Sequence, residues 1–548
     1  MTVSGLFNSQ TKTIAFAAGL LVVSSLISKV LGIVRSGLLS WQFGAGETTD
    51  MYLAAFRIPD FLYGILIMGG ISTVFLPLFS DVFQREERKA WNFANNLLNI
   101  LMVALLGLSA ITFFLAPQLM KLVAPGFSLE QQEITVHLTR LMLLSPILLG
   151  VSSVFSGVLQ YFGKFLAYSL APIFYNLGII AGIIFLVPLF GIWGLGLGVV
   201  VGAMLHVLVQ VPAALSSGFR WQPLFRLKDE AIGKVMRLAL PRTFAAAGLH
   251  VNVIVLTALA SLISTGSITI FTYADDIQHF PIGLIGISFA LAAFPSLSRL
   301  FAKQQMRQFG EVFASTFKQV LFLVVPISLL TFLLRAQIVR LVYGAGDKFT
   351  WDDTRLTAAA LGIFAFGILF QALIPFLARV FFAIQNTRTP TFISVASVAF
   401  NIFLAIFFMN VLAGPSALTS LLVTGLKLQG IENIRVLALP LALVLSGIVQ
   451  AVLLLLFLRR YIRGGMRKDL YASIIKIGGA SFVLAFAAYA ILQLYGGAFQ
   501  LRTYHEVLGQ FVLASLGGSI AYVLAAFLLR SPEMLYYWKA FQSKFYGR

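Results

Sequence analysis

Apolar runs of twenty or more residues recur from Thr13 to Arg530, and this recurrence decides the fold class before any motif is read. Each run is long enough to cross ~30 Å of hydrocarbon at ~1.5 Å rise per residue. A backbone facing lipid must satisfy its own hydrogen bonds, which a helix does within one segment. With 59% hydrophobic and 11% charged residues and a mean hydropathy of +0.93, a soluble domain of this size is excluded. The sequence predicts an all-α polytopic membrane protein. Fourteen transmembrane helices are expected, near 13–41, 48–80, 91–116, 132–160, 165–188, 191–215, 233–263, 266–298, 311–343, 354–384, 389–412, 434–458, 470–495 and 506–530. The first run is too long for a cleaved leader and passes directly into further spans, so it reads as an uncleaved first helix.

The loops test that count. In a membrane protein the placement of Lys and Arg says more than the net charge of +19, which elsewhere would suggest nucleic acid; no nucleic-acid partner is expected here. Even-numbered connections hold Arg85, Arg88 and Lys89; Lys164; Arg220, Arg226, Lys228, Lys234 and Arg237; Arg299, Lys303 and Arg307; Arg388; and Arg459, Arg460, Arg463, Arg467 and Lys468. Odd-numbered connections hold GAGETT at 44–49, FSLEQQE at 127–133 and GAGDKFTWDD at 344–353, where acids match or outnumber bases. Basic loops stay inside, so both termini are expected in the cytoplasm; thirteen spans would break the alternation.

A weak internal repeat accompanies this pattern. Leu76-Pro77-Leu78-Phe79-Ser80 ends the second span and Phe294-Pro295-Ser296-Leu297-Ser298 ends the eighth. Gln160 and Asn176 are spaced as Gln385 and Asn401 are, and the two matches are offset by nearly the same length of chain. Two six-helix lobes in the same orientation account for both, at 1–218 and 219–460, with a site expected between the halves. The last two spans, within 461–530, fall outside the repeat. The tail 531–548 mixes aromatic and basic residues and reads as a cytoplasmic amphipathic helix.

Ionisable residues inside the spans are the candidate site, because charge near a bilayer centre costs at least ~2.5–3.5 kcal/mol and marks interior cavities. In the first span Ser25, Ser28, Gly32, Arg35 and Ser36 form a small, polar stripe. Helix packing explains the serines and glycine but not Arg35. Lys29, about 120° around the helix, either joins it or snorkels to the edge. In the second span Asp50 and Arg57 share a face and Asp60 follows Pro59; a local ion pair is the simpler reading, a cavity wall the other. The eighth span carries Asp275, Asp276 and His279 just before Pro281: either a proton-linked switch or acids that pair with bases such as Arg242, next to Pro241. No metal site is inferred, since a histidine and two aspartates on one turn lack other convergent ligands. Arg379 is cavity lining or a cytoplasmic anchor. Histidines 137, 206 and 250 read as isolated packing residues. Pro59, Pro241 and Pro281 are candidate bending points.

Zero cysteines exclude disulfides, thiolate metal sites and thiol catalysis. There is no Walker-type phosphate loop, GxSxG elbow, HExxH or DxD cluster. The chain reads as a transporter, not an enzyme, with no cofactor.

The motifs S-K-V-L-G-I-V-R at 28–35, F-G-A-G-x-x-T-D at 43–50, A-F-R-I-P at 55–59, Y-A-D-D-x-x-x-F-P at 273–281 and F-P-S-L-S at 294–298 resemble the MurJ (MviN) lipid II flippases of the multidrug/oligosaccharidyl-lipid/polysaccharide exporter superfamily. The resemblance implies two six-helix lobes around a cationic cavity and a groove for the undecaprenyl tail formed by the last two helices. It implies alternating access that carries lipid II, or a similar polyprenyl-diphosphate lipid, to the outer leaflet of the bacterial cytoplasmic (inner) membrane for peptidoglycan assembly, with membrane lipids and cell-wall synthesis machinery as partners. Arg35 and Asp50 match functional family positions, and Lys29 stands where many members have Arg. Asp276 replaces an Arg of that pattern, His279 an acid and Tyr63 a second Arg, while Ala405 stands where sodium coupling would call for an acid. Arg57 and Arg242 are therefore expected to join Lys29, Arg35 and Asp50 in binding substrate, with Asp60, Asp275, Asp276, His279 and Arg379 as coupling or cavity charges. The competing readings are a flippase for another polyprenyl-linked oligosaccharide, a cation-coupled multidrug exporter and a membrane scaffold.

Overall fold

A computed structural model describes residues 14–65, 72–431, 433–461, 466–499 and 503–545. All regular secondary structure among them is helical. The principal helices are α1 (Ile14–Phe43), α2 (Glu47–Tyr63), α3 (Ser72–Arg85), α4 (Glu87–Val123), α5 (Leu129–Met142), α6 (Leu144–Tyr161), α7 (Phe165–Ala181), α8 (Trp193–Leu208), α9 (Glu230–Ser261), α10 (Ser267–Pro281), α11 (Ser288–Ala302), α12 (Met306–Leu333), α13 (Arg335–Val342), α14 (Trp351–Ala383), α15 (Arg388–Val411), α16 (Ala438–Leu458), α17 (Met466–Ala498), α18 (Tyr504–Leu528) and α19 (Pro532–Phe545).

Twelve helices among the described residues are long and apolar enough to cross a membrane, against fourteen expected. The difference has two sources. The expected second span is divided into α2 and α3, with 66–71 outside the described residues. The expected seventh span is α9, where several side chains between 240 and 249 lie outside the described residues, which leaves His250–Ser261 as its described apolar stretch.

The chain forms two compact units, 1–269 and 270–548. Within the first, loops of like parity converge. Gly126 N donates to Ser261 Oγ at 3.1 Å, joining the third and seventh connections, and the first joins them through Asp50, described below. At the even-numbered end, Asn95, Asn96 and Asn99 on α4 bind the extended stretch 220–226. The second unit repeats this: Arg355 donates to the carbonyls of Lys427 and Gln429, joining the ninth and eleventh connections.

Helix ends explain why these loops are sharp. Ser128/Gln131, Thr350/Asp353 and Thr503/Glu506 form reciprocal capping boxes at the starts of α5, α14 and α18. Helix α7 and the π-helical segment Gly182–Leu186 that extends it pack on α8 through glycines, with Gly178 against Gly202 and Gly182 against Gly198, a small-residue contact suited to membrane helices. The repeat is visible in element boundaries, which recur at a nearly constant offset along the chain: the end of α2 with that of α10, the end of α3 with that of α11, and the start of α4 with that of α12.

Candidate functional site

Helix α1 carries Lys29 and Arg35, both half-buried. Arg35 Nη1 donates to Asn176 Oδ1 on α7 at 3.3 Å. Asn176 is itself fixed, because its amide nitrogen donates to Pro172 O at 3.0 Å and to Ser28 O and Oγ at 3.3 and 3.2 Å. Ser28 on α1 thus orients the amide that holds the guanidinium, and the other Arg35 nitrogens have no hydrogen-bond partner among the described residues. Tyr52 and Tyr175 lie within electrostatic reach of Arg35, and Tyr175 also of Asp60.

Helices α2 and α9 run antiparallel and meet through polar contacts at successive levels. Arg57 Nε donates to Thr257 Oγ1 at 2.9 Å, and the Thr257 hydroxyl donates in turn to Val253 O at 2.9 Å. Near the end of α2, His250 Nδ1 lies 3.7 Å from Asp60 Oδ2, and the His250 ring meets Phe61 edge-on. His250 also lies directly over Gly64, where any Cβ would occupy the ring's place. His250 is thus a packing histidine, as expected, but not an isolated one, since it meets both Asp60 and Phe61 on α2.

Asp50, at the opposite end of α2, is 2% exposed. Its Oδ2 accepts from Gly266 N at 2.7 Å, and its Oδ1 accepts from Thr269 N at 2.9 Å and Thr269 Oγ1 at 2.6 Å. A carboxylate thus caps the first turn of α10 from another helix, satisfying backbone donors that the turn leaves free. Gly266 permits it: its φ is +85°, and a side chain there would strike the Ala45 carbonyl.

In the second unit, His279 and Asp275 meet one turn apart on α10, with Nδ1 2.9 Å from Asp275 O and 3.4 Å from Oδ1. Gln278 Nε2 donates to Asp275 Oδ1 at 2.7 Å. The His279 side chain is 64% exposed and Asp276 is exposed too. Arg379 Nη1 on α14 is buried without a hydrogen-bond partner among the described residues.

Pro59 lies inside α2, and Pro281 ends α10, which continues as a π-helical segment, Ile282–Ile287. Such a segment has weaker hydrogen bonding than an α-helix and commonly marks functional bends. Helix α9 continues through position 241. The side chains of Pro241 and Arg242, and with them the expected pairing of Arg242 with Asp275 or Asp276, lie outside the described residues.

His206 fits the packing role expected of it, its Nδ1 2.6 Å from Ser152 Oγ, and His137 stands edge-on to Trp193. Sequence reading missed His250, Thr257 and the orienting role of Asn176. Only the helical spacing of His250 and Thr257, which puts them on one face of α9, signalled the first two.

The profile of the family "Lipid II flippase MurJ" matches residues 39–508. A probable lipid II flippase MurJ of Haemophilus influenzae is 29% identical over 440 residues, covering 75% of this chain and 84% of the relative. The corresponding Borreliella burgdorferi protein is 28% identical over 396 residues, covering 71% and 77%. The lipid II flippase MurJ of Burkholderia cenocepacia is 27% identical over 387 residues, covering 69% and 75%. Among solved structures, a lipid II flippase MurJ in an inward closed conformation superposes with a TM-score of 0.73 at 22% identity, covering 92% of this chain and 98% of that one. An inward-facing MATE multidrug transporter superposes at 0.65 and 14% identity, covering 79% and 94%. The structures share the fold of a polytopic helical transporter, and by the extent of the profile match the chain belongs to the lipid II flippase MurJ family.

Proposed function

We propose that this chain is a lipid II flippase that carries the undecaprenyl-diphosphate-linked peptidoglycan precursor from the inner to the outer leaflet of the bacterial cytoplasmic membrane by alternating access. The observation that carries the reading, beside family membership, is Arg35: a guanidinium inside an apolar helix, held at one nitrogen by Asn176. A diphosphate needs charge-assisted donors, and these strengthen where water is excluded. Arg35, Lys29 and Arg57 supply them from α1 and α2, and Arg242 on α9 is the fourth cation of the proposed set. Asp50 serves the same process differently, by holding the 266–269 turn.

The lobes that move are 1–218 and 219–460, bending near Pro59, Pro241 and Pro281. The segment 461–530, with α17 and α18, houses the lipid tail, and 531–548 lies on the cytoplasmic surface. Both termini are cytoplasmic, a reading supported by loops of like parity meeting at common ends. Cell-wall synthesis enzymes are the natural partners of the delivered substrate. A second reading, cation-coupled drug export, draws on the MATE-like fold and on Asp275, Asp276 and His279. Supplying the chain to cells depleted of their own flippase, with lipid II assayed in the outer leaflet, separates the two: rescue fits the flippase, whereas drug efflux without rescue fits the exporter.

A further inference from the structure

We propose that a second, peripheral site on this protein, between the start of α4 and the extended segment 219–228, binds the phosphate of an anionic phospholipid headgroup. It is separate from the transport path and does not rest on the substrate assigned above.

The segment is built as a fixed wall. Asn96 exchanges two bonds with Arg226, donating to its carbonyl at 2.9 Å and accepting from its amide at 2.7 Å. Asn95 donates to Arg220 O at 3.0 Å and accepts from Gln222 N at 2.8 Å. Asn99 donates to Gln222 O and Leu224 O and accepts from the Trp221 indole at 3.0 Å. Three asparagines clustered near the start of one helix thus bind the backbone of a connecting segment as a neighbouring strand would. Holding a loop this rigidly exceeds what joining two helices requires.

The wall borders an open surface groove of about 400 Å³ lined by Glu87, Arg88, Trp91, Asn92, Gly218, Arg220 and Gln222. Trp91 is locked in place, stacked on Phe162 and edge-on to Phe219. On the α3–α4 stretch, Arg85 pairs with Asp81 and Lys89 with Glu86, whereas Arg88 and Arg220 have no ion pair among the described residues. Two guanidiniums and two primary amides facing one groove form a donor set suited to phosphate oxygens. Glu87 is the one opposing charge, and its Oε1 accepts from the Trp91 indole at 3.2 Å.

The surroundings point to lipid as the source of the phosphate. Trp221, Phe225 and Leu227 are 62%, 51% and 63% exposed and alternate with Arg220, Arg226 and Lys228 at the end of a membrane-crossing helix, the composition of a membrane–water interface. A headgroup seated in the groove would leave its acyl chains beside these apolar side chains.

The test is native mass spectrometry of the full chain titrated with phosphatidylglycerol or phosphatidylcholine, with thermal shifts in inorganic phosphate as a second arm. The expected result is one phosphatidylglycerol adduct that weakens about tenfold in the Arg88→Gln/Arg220→Gln variant, a loss of ~1.4 kcal/mol. That adduct persists in Lys228→Gln, tightens in Glu87→Gln and has no phosphatidylcholine counterpart. Equal binding by wild type and the double variant, or equal weakening in Lys228→Gln, overturns the site. Saturation by inorganic phosphate at the affinity shown for the lipid overturns the headgroup assignment.

Discussion

Arg35 reaches Asn176 across two helices with a 3.3 Å bond from Nη1 to Oδ1, and Asn176 reaches back to Ser28 on the helix that carries Arg35. The loop closes on itself: α1 supplies both the cation and the serine that orients its partner. Replacing Asn176 with Asp makes the acceptor a carboxylate that competes with phosphate for the guanidinium. Lipid II binding is then expected to weaken about tenfold, equivalent to ~1.4 kcal/mol, with the protein remaining folded. Asn176→Ala should leave Arg35 mobile, and its effect should vanish in an Arg35→Ala background, as a binding titration of the double variant would reveal.

The cap that Asp50 places on α10 predicts a stability effect. Asp50→Ala leaves the buried Gly266 and Thr269 amides without their acceptor, so unfolding is expected to cost ~2–4 kcal/mol less. Asp50→Asn keeps one acceptor and should lose about half as much. Thermal unfolding in detergent checks both; equal melting temperatures for Asp50→Ala and wild type would remove the capping role.

Asp60 and His250 provide a third check. A double-mutant cycle of Asp60→Asn and His250→Gln, read by thermal unfolding, should return a coupling of ~0.5–1 kcal/mol, the scale of a partly exposed pair. Gly64→Leu should destabilise more than either, because the side chain takes the space of the His250 ring.

Arg379 carries a buried nitrogen with no hydrogen-bond partner among the described residues, and such a group costs stability that an apolar isostere restores. Arg379→Met is expected to raise the melting temperature while lowering transport, and Arg379→Lys to restore neither property fully. Unchanged transport in Arg379→Met would make this arginine a structural residue only.

The fold was legible because a bilayer demands about twenty apolar residues per crossing and places basic loops on one side. Both signals survive without any knowledge of tertiary contacts, as do Arg35 and the acids of α10, which stand out as charges in apolar runs. The span that α9 makes is legible in the same way, since 244–261 holds no Asp, Glu, Lys or Arg. The contact of His250 with Asp60 was not legible because the two lie on helices far apart in sequence, and only the antiparallel register of α2 and α9 brings them together. The capping role of Asp50 was hidden for the same reason: its donors are backbone amides of a turn far along the chain, and backbone amides leave no sequence signature.

The central claim, that Arg35 serves the passage of lipid II, is tested most directly by one measurement. Cells depleted of their own flippase receive this chain or its Arg35→Ala variant, and lipid II exposed at the outer leaflet is quantified. The wild-type chain is predicted to restore exposed lipid II and growth, and Arg35→Ala to restore neither despite normal membrane levels. Restoration by both, or by neither while the wild-type chain exports drugs, would contradict the account.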